Sequence, residues 1–262
     1  MAPLEFEWHP AKLLQDHDHA SDFALLVLNQ PLKNSTTLRR LWKNSSLRVA
    51  ADGGANRLHE LSSFQGKFSN LQAVIGDLDS LRPSVKDFYS SQPKPALVIH
   101  DTDQESTDFG KAITWIRHNH QEELDIVALG GIGGRVDQGI SQLHHLYLFQ
   151  QGPEYAHGRI YLLSGSSLTF LLKKGIHHIH VREDGEECAF GKHVGIIPLQ
   201  EPSIISTKGL AWDVTKWETK IGGQLSTSNL LLPETKCIEV ETTKDVLMTL
   251  ALGQLEGDED VA

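Results

Sequence analysis

The sequence predicts two domains of different class, an α/β domain followed by an all-β domain. Three observations carry this. Apolar runs of strand length alternate with segments whose apolar residues recur at helical spacing, which marks βαβ units and a mostly parallel sheet. Most of those runs end in a polar, acidic or glycine-rich tip. Beyond Lys173-Lys174-Gly175 the helical periodicity stops, and short β-rich runs follow, separated by Gly, Pro and charged turns. The expected architecture is therefore a Rossmann-like α/β/α domain over 23–172 and an antiparallel β-sandwich over 173–254. A polar arm over 1–22 precedes them and an acidic tail over 255–262 follows.

Each element has its own justification. Phe23 to Leu28 is a continuous apolar run ending in Asn29-Gln30-Pro31, as in a strand buried on both faces. Leu38, Leu41 and Trp42 then recur at helical spacing. A second strand, Leu47 to Ala51, ends in Asp52-Gly53-Gly54, and Leu58, Leu61 and Phe64 line the helix after it. The third strand, Val74-Ile75-Gly76, runs into Asp77-Leu78-Asp79, and Pro83 suits the first turn of a short helix. Ala96 to His100 is the fourth strand. Phe109, Ala112, Ile113 and Ile116 mark a helix capped by Ser106 or Thr107. Leu124 to Leu129 is the fifth strand. It leads into Gly130-Gly131-Ile132-Gly133-Gly134-Arg135-Val136-Asp137 and a helix to about Gln150, with Ile160 to Leu163 as the sixth strand. In the second domain, strands are expected around 178–182, 194–198, 203–206, 236–241 and 246–252.

Composition narrows the function. A net charge of −10 and a pI near 5.7 argue against a nucleic-acid surface, whose footprint is basic. No apolar run approaches the roughly 18 residues of a membrane span, and the start of the chain lacks a basic, then apolar, secretory pattern. Cys188 and Cys237 form no C-x-x-C pair and are expected to be reduced and buried, which suits a cytoplasmic protein.

The acidic tips carry the chemistry. In extended chain Asp77 and Asp79 point to one side, and two like charges that close call for a hard cation such as Mg2+. Asp108, in the first turn of its helix, is a candidate third oxygen ligand. Asp52-Gly53-Gly54 lies at a strand-to-helix turn where glycines let a ligand approach the backbone. The Gly130–Asp137 loop fits neither G-x-G-x-x-G nor a Walker pattern, yet its N–H groups with Arg135 can hold phosphate oxygens. Plain turns and helix caps remain open readings of each tip taken singly. The histidines, including His144-His145, His177, His178 and His180, match no zinc spacing and default to surface or strand-face positions. Trp212 is either core or a stacking surface for a flat or cationic ring.

Together these segments resemble the thiamine pyrophosphokinase family in its eukaryotic form. The matching pieces, in order, are LNQPL at 28–32, ADGGANRL at 51–58, IGDLDS at 75–80, DQESTDF at 103–109, LGGIGGRVDQ at 129–138, GLAW at 209–212 and STSN at 226–229. The resemblance implies pyrophosphate transfer from ATP to the hydroxyl of thiamine, with AMP released, in a homodimer whose active sites lie at the subunit interface. It implies Mg2+ on Asp77, Asp79 and Asp108, and ATP or substrate contacts from Asp52, Gly53, Gly54, Gln104, Thr107, Gly131, Gly134, Arg135 and Asp137. Trp212, Ser226, Ser228 and Asn229 are implied for thiamine, from the β domain of the neighbouring subunit. Glu105 stands where the family usually has Asp, Val136 where it has Phe, and the stretch from Thr215 to Leu225 is longer than usual. Another metal-dependent nucleotide enzyme with D-x-D, or a non-catalytic binding protein, are the competing classes.

Overall fold

The structure, a computed structural model, describes residues 3–15, 21–32, 35–65, 68–120, 123–182 and 189–253. The acidic tail at 255–262 and Cys188 lie outside them. The described residues divide into two compact units, one within 21–151 and 155–165, the other within 3–15, 152–154 and 166–253.

The first unit is α/β. Its strands are β2 (Ser21–Val27), β3 (Ser45–Ala51), β4 (Ala73–Gly76), β5 (Leu97–His100), β6 (Asp125–Leu129) and β7 (Ile160–Leu163). They pair in parallel in the order β7-β6-β2-β3-β4-β5. The helices between them are α2 (Ser35–Asn44), α3 (Gly54–Gln65), α4 (Pro83–Ser90), α5 (Asp108–Asn119) and α6 (Val136–Leu148). Leu25, Leu26, Val49, Val127 and Ala128 are fully buried, as expected of central strands covered on both faces. The carboxyl ends of β2 to β6 lie along one edge of this sheet, where ligands bind in such folds.

The second unit is built from β strands. One sheet runs β1 (Glu5–Trp8), β9 (Gly175–His180), β14 (Cys237–Thr242), β11 (Ser203–Lys208), β12 (Trp217–Thr219). The other strand set runs β13 (Ser226–Leu230), β10 (Phe190–Ile197), β15 (Val246–Leu252), β8 (Ser167–Leu172). Alternation places Ile179, Val181, Ile238 and Val240 inward from the first set, and Phe170, Val194, Ile196 and Met248 from the second. Trp8 packs on Phe170 with ring centroids 4.7 Å apart, tying the two sets together.

Several expectations are corrected. The N-terminal arm is no appendage: β1 pairs in parallel with β9, and α1 (Pro10–Leu14) buries Ala11, Leu13 and Leu14 in the β unit. The domain boundary falls before β8 rather than after Leu172, because Leu168, Phe170 and Leu172 complete the β core. His177 keeps the strand position expected of it, on the buried face of β9; its Nδ1 accepts the Trp8 indole N–H at 3.0 Å and its Nε2 faces the Lys173 carbonyl at 2.7 Å. Cys237 is half-buried rather than buried, and is free. The stretch around Trp217 forms β12 and a turn, closed by the Trp217 indole donating to Gln224 Oε1 at 2.9 Å and Lys220 N–H to the Gln224 carbonyl at 3.0 Å. Among the described residues no helix is long and apolar enough to cross a membrane.

Candidate active site

The tips of the parallel strands converge as the topology requires. Asp52 follows β3, Asp77 follows β4, and Asp108 opens α5 after the β5 tip; one carboxylate oxygen from each lies within 4.8 Å of the others. Gly76 makes this approach possible, since a Cβ there would stand 2.7 Å from Asp108 Oδ1 and 2.8 Å from Asp52 Cβ. Asp52 itself takes a left-handed φ of 40°, which Asp tolerates better than most residues. Gly53 and Gly54 have no such φ. They are glycine because a Cβ would meet Asn29 Nδ2 at 2.3 Å and the Val27 carbonyl oxygen at 2.2 Å, so α3 starts flush against the end of β2.

Hydrogen bonds hold the three carboxylates. Asp108 Oδ1 accepts the Asp77 N–H at 3.1 Å, and Asp52 Oδ2 accepts the Ser80 N–H at 3.1 Å. Asp52 Oδ1 is buried without a hydrogen-bond partner. Burial pushes the Asp108 carboxyl above the usual range, and repulsion from Asp77 and Asp52 adds to this, against the Asp77 N–H and Lys111. Lys111, one turn along α5 and only 2% exposed at its side chain, donates to the Asp101 carbonyl at 2.8 Å and stands 3.8 Å from Asp108 Oδ1. An acidic trio with an unsatisfied buried oxygen suits a hard, oxygen-seeking divalent cation such as Mg2+.

Asp79 does not join this trio. β4 ends at Gly76 and Leu78 takes φ 62°, so the tip turns and the alternation that would align Asp77 with Asp79 is lost. Asp79 is exposed, its N–H donating to Asp77 Oδ1 at 3.1 Å. Asp52, expected among the nucleotide contacts, lies in the trio.

A cleft of about 310 Å³ opens beside the trio, lined by Asn29, Gln30, Asp77, Gln104, Thr107 and Asp108 among others. Thr107 caps α5: its hydroxyl accepts the Gly110 N–H at 3.1 Å and lies 2.8 Å from His145 Nε2. His145 Nδ1 faces the Ser141 carbonyl at 2.6 Å and therefore donates, leaving Nε2 to accept from Thr107. Burial lowers the His145 pKa, keeping that tautomer neutral. This bond pins the start of α5 against α6. In the glycine loop Gly130 and Gly134 are left-handed, and a Cβ at Gly131 would stand 3.1 Å from Leu162 Cβ. Arg135 and Asp137 are exposed and paired with each other, Nε to Oδ1 at 3.1 Å, and each holds its partner in the charged form.

In the β unit, Trp212 is 61% exposed on a turn locked from both sides. Asp213 accepts N–H groups from Gly209 at 3.0 Å and Leu210 at 3.1 Å. Asn229 accepts the Trp212 N–H at 3.2 Å and donates to the Trp212 carbonyl at 2.9 Å. The Asn229 amide thus presents the indole. Ser226 is half-buried on β13, and Ser228 is exposed with φ 58°. Sequence reasoning missed Lys111, Thr107 as a partner of His145, and Asp52 as a member of the trio. Only the Lys, three residues past Asp108, carried a readable signal.

Comparisons with known proteins give the family. Residues 38–156 match the family described as thiamin pyrophosphokinase, catalytic domain, and 176–247 that described as thiamin pyrophosphokinase, vitamin B1 binding domain. A relative named thiamine pyrophosphokinase 1 from Arabidopsis thaliana is 38% identical, covering 96% of each chain. The Saccharomyces cerevisiae thiamine pyrophosphokinase is 28% identical, covering 87% of this chain and 85% of its own. The crystal structure of yeast thiamin pyrophosphokinase superposes with a TM-score of 0.80 at 25% identity, over 97% of this chain and 93% of that one. The thiamin pyrophosphokinase from Candida albicans gives 0.78 at 26% identity, over 97% and 95%. With both of its units matched in order and most of its length shared with these relatives, the chain belongs to the thiamin pyrophosphokinase family.

Proposed function

We propose that the chain transfers the pyrophosphoryl group of ATP to the hydroxyl of thiamine, giving thiamine pyrophosphate and AMP. The observation that carries this is the trio Asp52, Asp77 and Asp108 beside a cleft at the strand tips, in a chain of this family. The hydroxyl oxygen bonds to the β-phosphorus as the bond from that phosphorus to the α,β-bridging oxygen breaks, and AMP leaves with the bridging oxygen. Phosphoryl-type transfer asks the protein mainly for positioning and charge neutralisation. Mg2+ on Asp52, Asp77 and Asp108 would supply charge neutralisation on the phosphate oxygens.

The chain's own groups do the rest. N–H groups of the glycine loop and the Arg135 fork suit the leaving nucleotide's phosphate. Gln104 and Thr107 line the cleft, where Thr107 keeps α5 in place. Asp137 is paired with Arg135; in a loose transition state the hydroxyl proton leaves late, to solvent, and no strong base is required. Trp212 stacked on the cationic thiazolium adds about 1 to 2 kcal/mol once desolvated. Homodimer formation, with Trp212 supplied to a neighbour's cleft, is supported by exposed apolar residues on α6, Val136 and Ile140 four apart and Leu148 eight further on. Incubation with ATP, Mg2+ and thiamine tests the reading. AMP and thiamine pyrophosphate in equal amounts support it; ADP, or AMP formed without thiamine, refutes it.

A further inference from the structure

A second cluster of metal-ligating side chains lies in the β unit, and the reaction proposed above does not use it. Glu7 on β1, His9 just past the end of that strand and His180 at the end of β9 bring one ligand atom each within 4.8 Å of one another. They come from two segments more than 160 residues apart in sequence, and the parallel register that sets Glu7 opposite His178 and Trp8 opposite Ile179 gathers them at one strand end. His180 Nε2 already lies 2.7 Å from Glu7 Oε2, and the His9 and His180 rings stack with centroids 4.5 Å apart. Cys237 lies opposite His180 in the neighbouring strand.

We propose that Glu7, His9 and His180 form a binding site for a divalent transition-metal ion of the zinc class, which clips the N-terminal strand to β9. Two imidazoles and one carboxylate suit Zn2+ and its neighbours, whereas the all-oxygen trio at the strand tips suits Mg2+. The ion takes the place of the hydrogen bond between His180 and Glu7. The rings are 5° from parallel, so they cannot both aim an in-plane lone pair at one ion as they stand. His9 is exposed and reaches the ion by a side-chain rotamer step, while His180 and Glu7 stay on their strands. Because β1 is an edge strand, an ion bridging it to β9 resists its fraying.

The test uses the full chain, stripped with chelator and then held in millimolar Mg2+ so that the acidic trio is saturated. Zn2+ is titrated calorimetrically, and Co2+ is used for its visible d–d bands. One Zn2+ per chain is expected. His9→Ala, at an exposed position, and His180→Ala should each weaken it at least tenfold and abolish the Co2+ bands, with AMP formation unchanged. Zn2+ should raise Tm in the unaltered chain and not in His9→Ala. The proposal fails if the unaltered chain takes up no Zn2+, if both variants bind as it does, or if Asp108→Asn rather than His9→Ala removes binding.

Discussion

Gly76→Ala probes the convergence of the carboxylates without removing any of them. Ordinary contact begins near 3.4 Å, and the new Cβ would stand 2.7 Å from Asp108 Oδ1 and 2.8 Å from Asp52 Cβ, so two of the three acids must move by about 0.6 to 0.7 Å. Overpacking of this size costs about 1 to 3 kcal/mol of stability. Misplacement approaching 1 Å at a reacting centre costs up to about a hundredfold in rate. The expected result is a kcat for AMP formation down by roughly ten- to a hundredfold, with a raised Mg2+ requirement, in a chain that still folds. Gly139→Ala is the control: its Cβ would meet only Ile132 Cγ2 at 3.9 Å, and the helix gains up to about 1 kcal/mol. Steady-state rates against Mg2+ concentration, with thermal unfolding of both variants, decide the matter. A Gly76→Ala enzyme with unaltered kcat and Mg2+ dependence would refute the claim that these acids act at this spacing.

Three further outcomes follow from the same geometry. Asn229→Ala removes the two bonds that hold the Trp212 backbone, together about 1 to 3 kcal/mol. The thiamine KM should rise about tenfold with kcat nearly kept, as Trp212→Ala should also do; an unchanged KM in both would make the indole a bystander. His145 has a folded pKa below its unfolded value near 6.5. The unfolded chain therefore binds the extra proton first, and the stability carried by neutral His145 is full above about pH 6.5 and is lost as pH falls toward the folded pKa. His145→Gln should flatten this limb of stability against pH, relative to the unaltered chain; an identical slope in both would contradict the assignment. Lys111→Met removes the donor to the Asp101 carbonyl and the cation 3.8 Å from Asp108, and should cost about 1 to 3 kcal/mol by denaturant unfolding. A midpoint unchanged within error would contradict that role.

Much of the α/β unit was legible in the sequence because its strands are buried on both faces and read as continuous apolar runs, as at Phe23 to Leu28. The helix after Asp108 was readable from Phe109, Ala112, Ile113 and Ile116, with Thr107 the cap in the structure. The N-terminal strand was not, since Glu5-Phe6-Glu7-Trp8 is four residues whose partner, β9, lies more than 160 residues away. Ser167 to Leu172 was hidden for another reason: it is buried on both faces, and nothing local says which unit it completes. At the site, the acidic tips pointed to a cation, but the count by twos from Asp77 to Asp79 assumed an extended chain that ends at Gly76. The left-handed turns at Asp52 and Leu78 decide which acids meet, and no periodicity reports them.

The central claim is that Asp52, Asp77 and Asp108 hold one divalent cation. Mn2+ titration followed by electron paramagnetic resonance, with Mn2+ standing in for Mg2+, measures this directly on the unaltered chain and on Asp52→Asn and Asp108→Asn. One bound ion at the trio, weakened at least tenfold in each variant, is the predicted result; full Mn2+ affinity in either variant would contradict it.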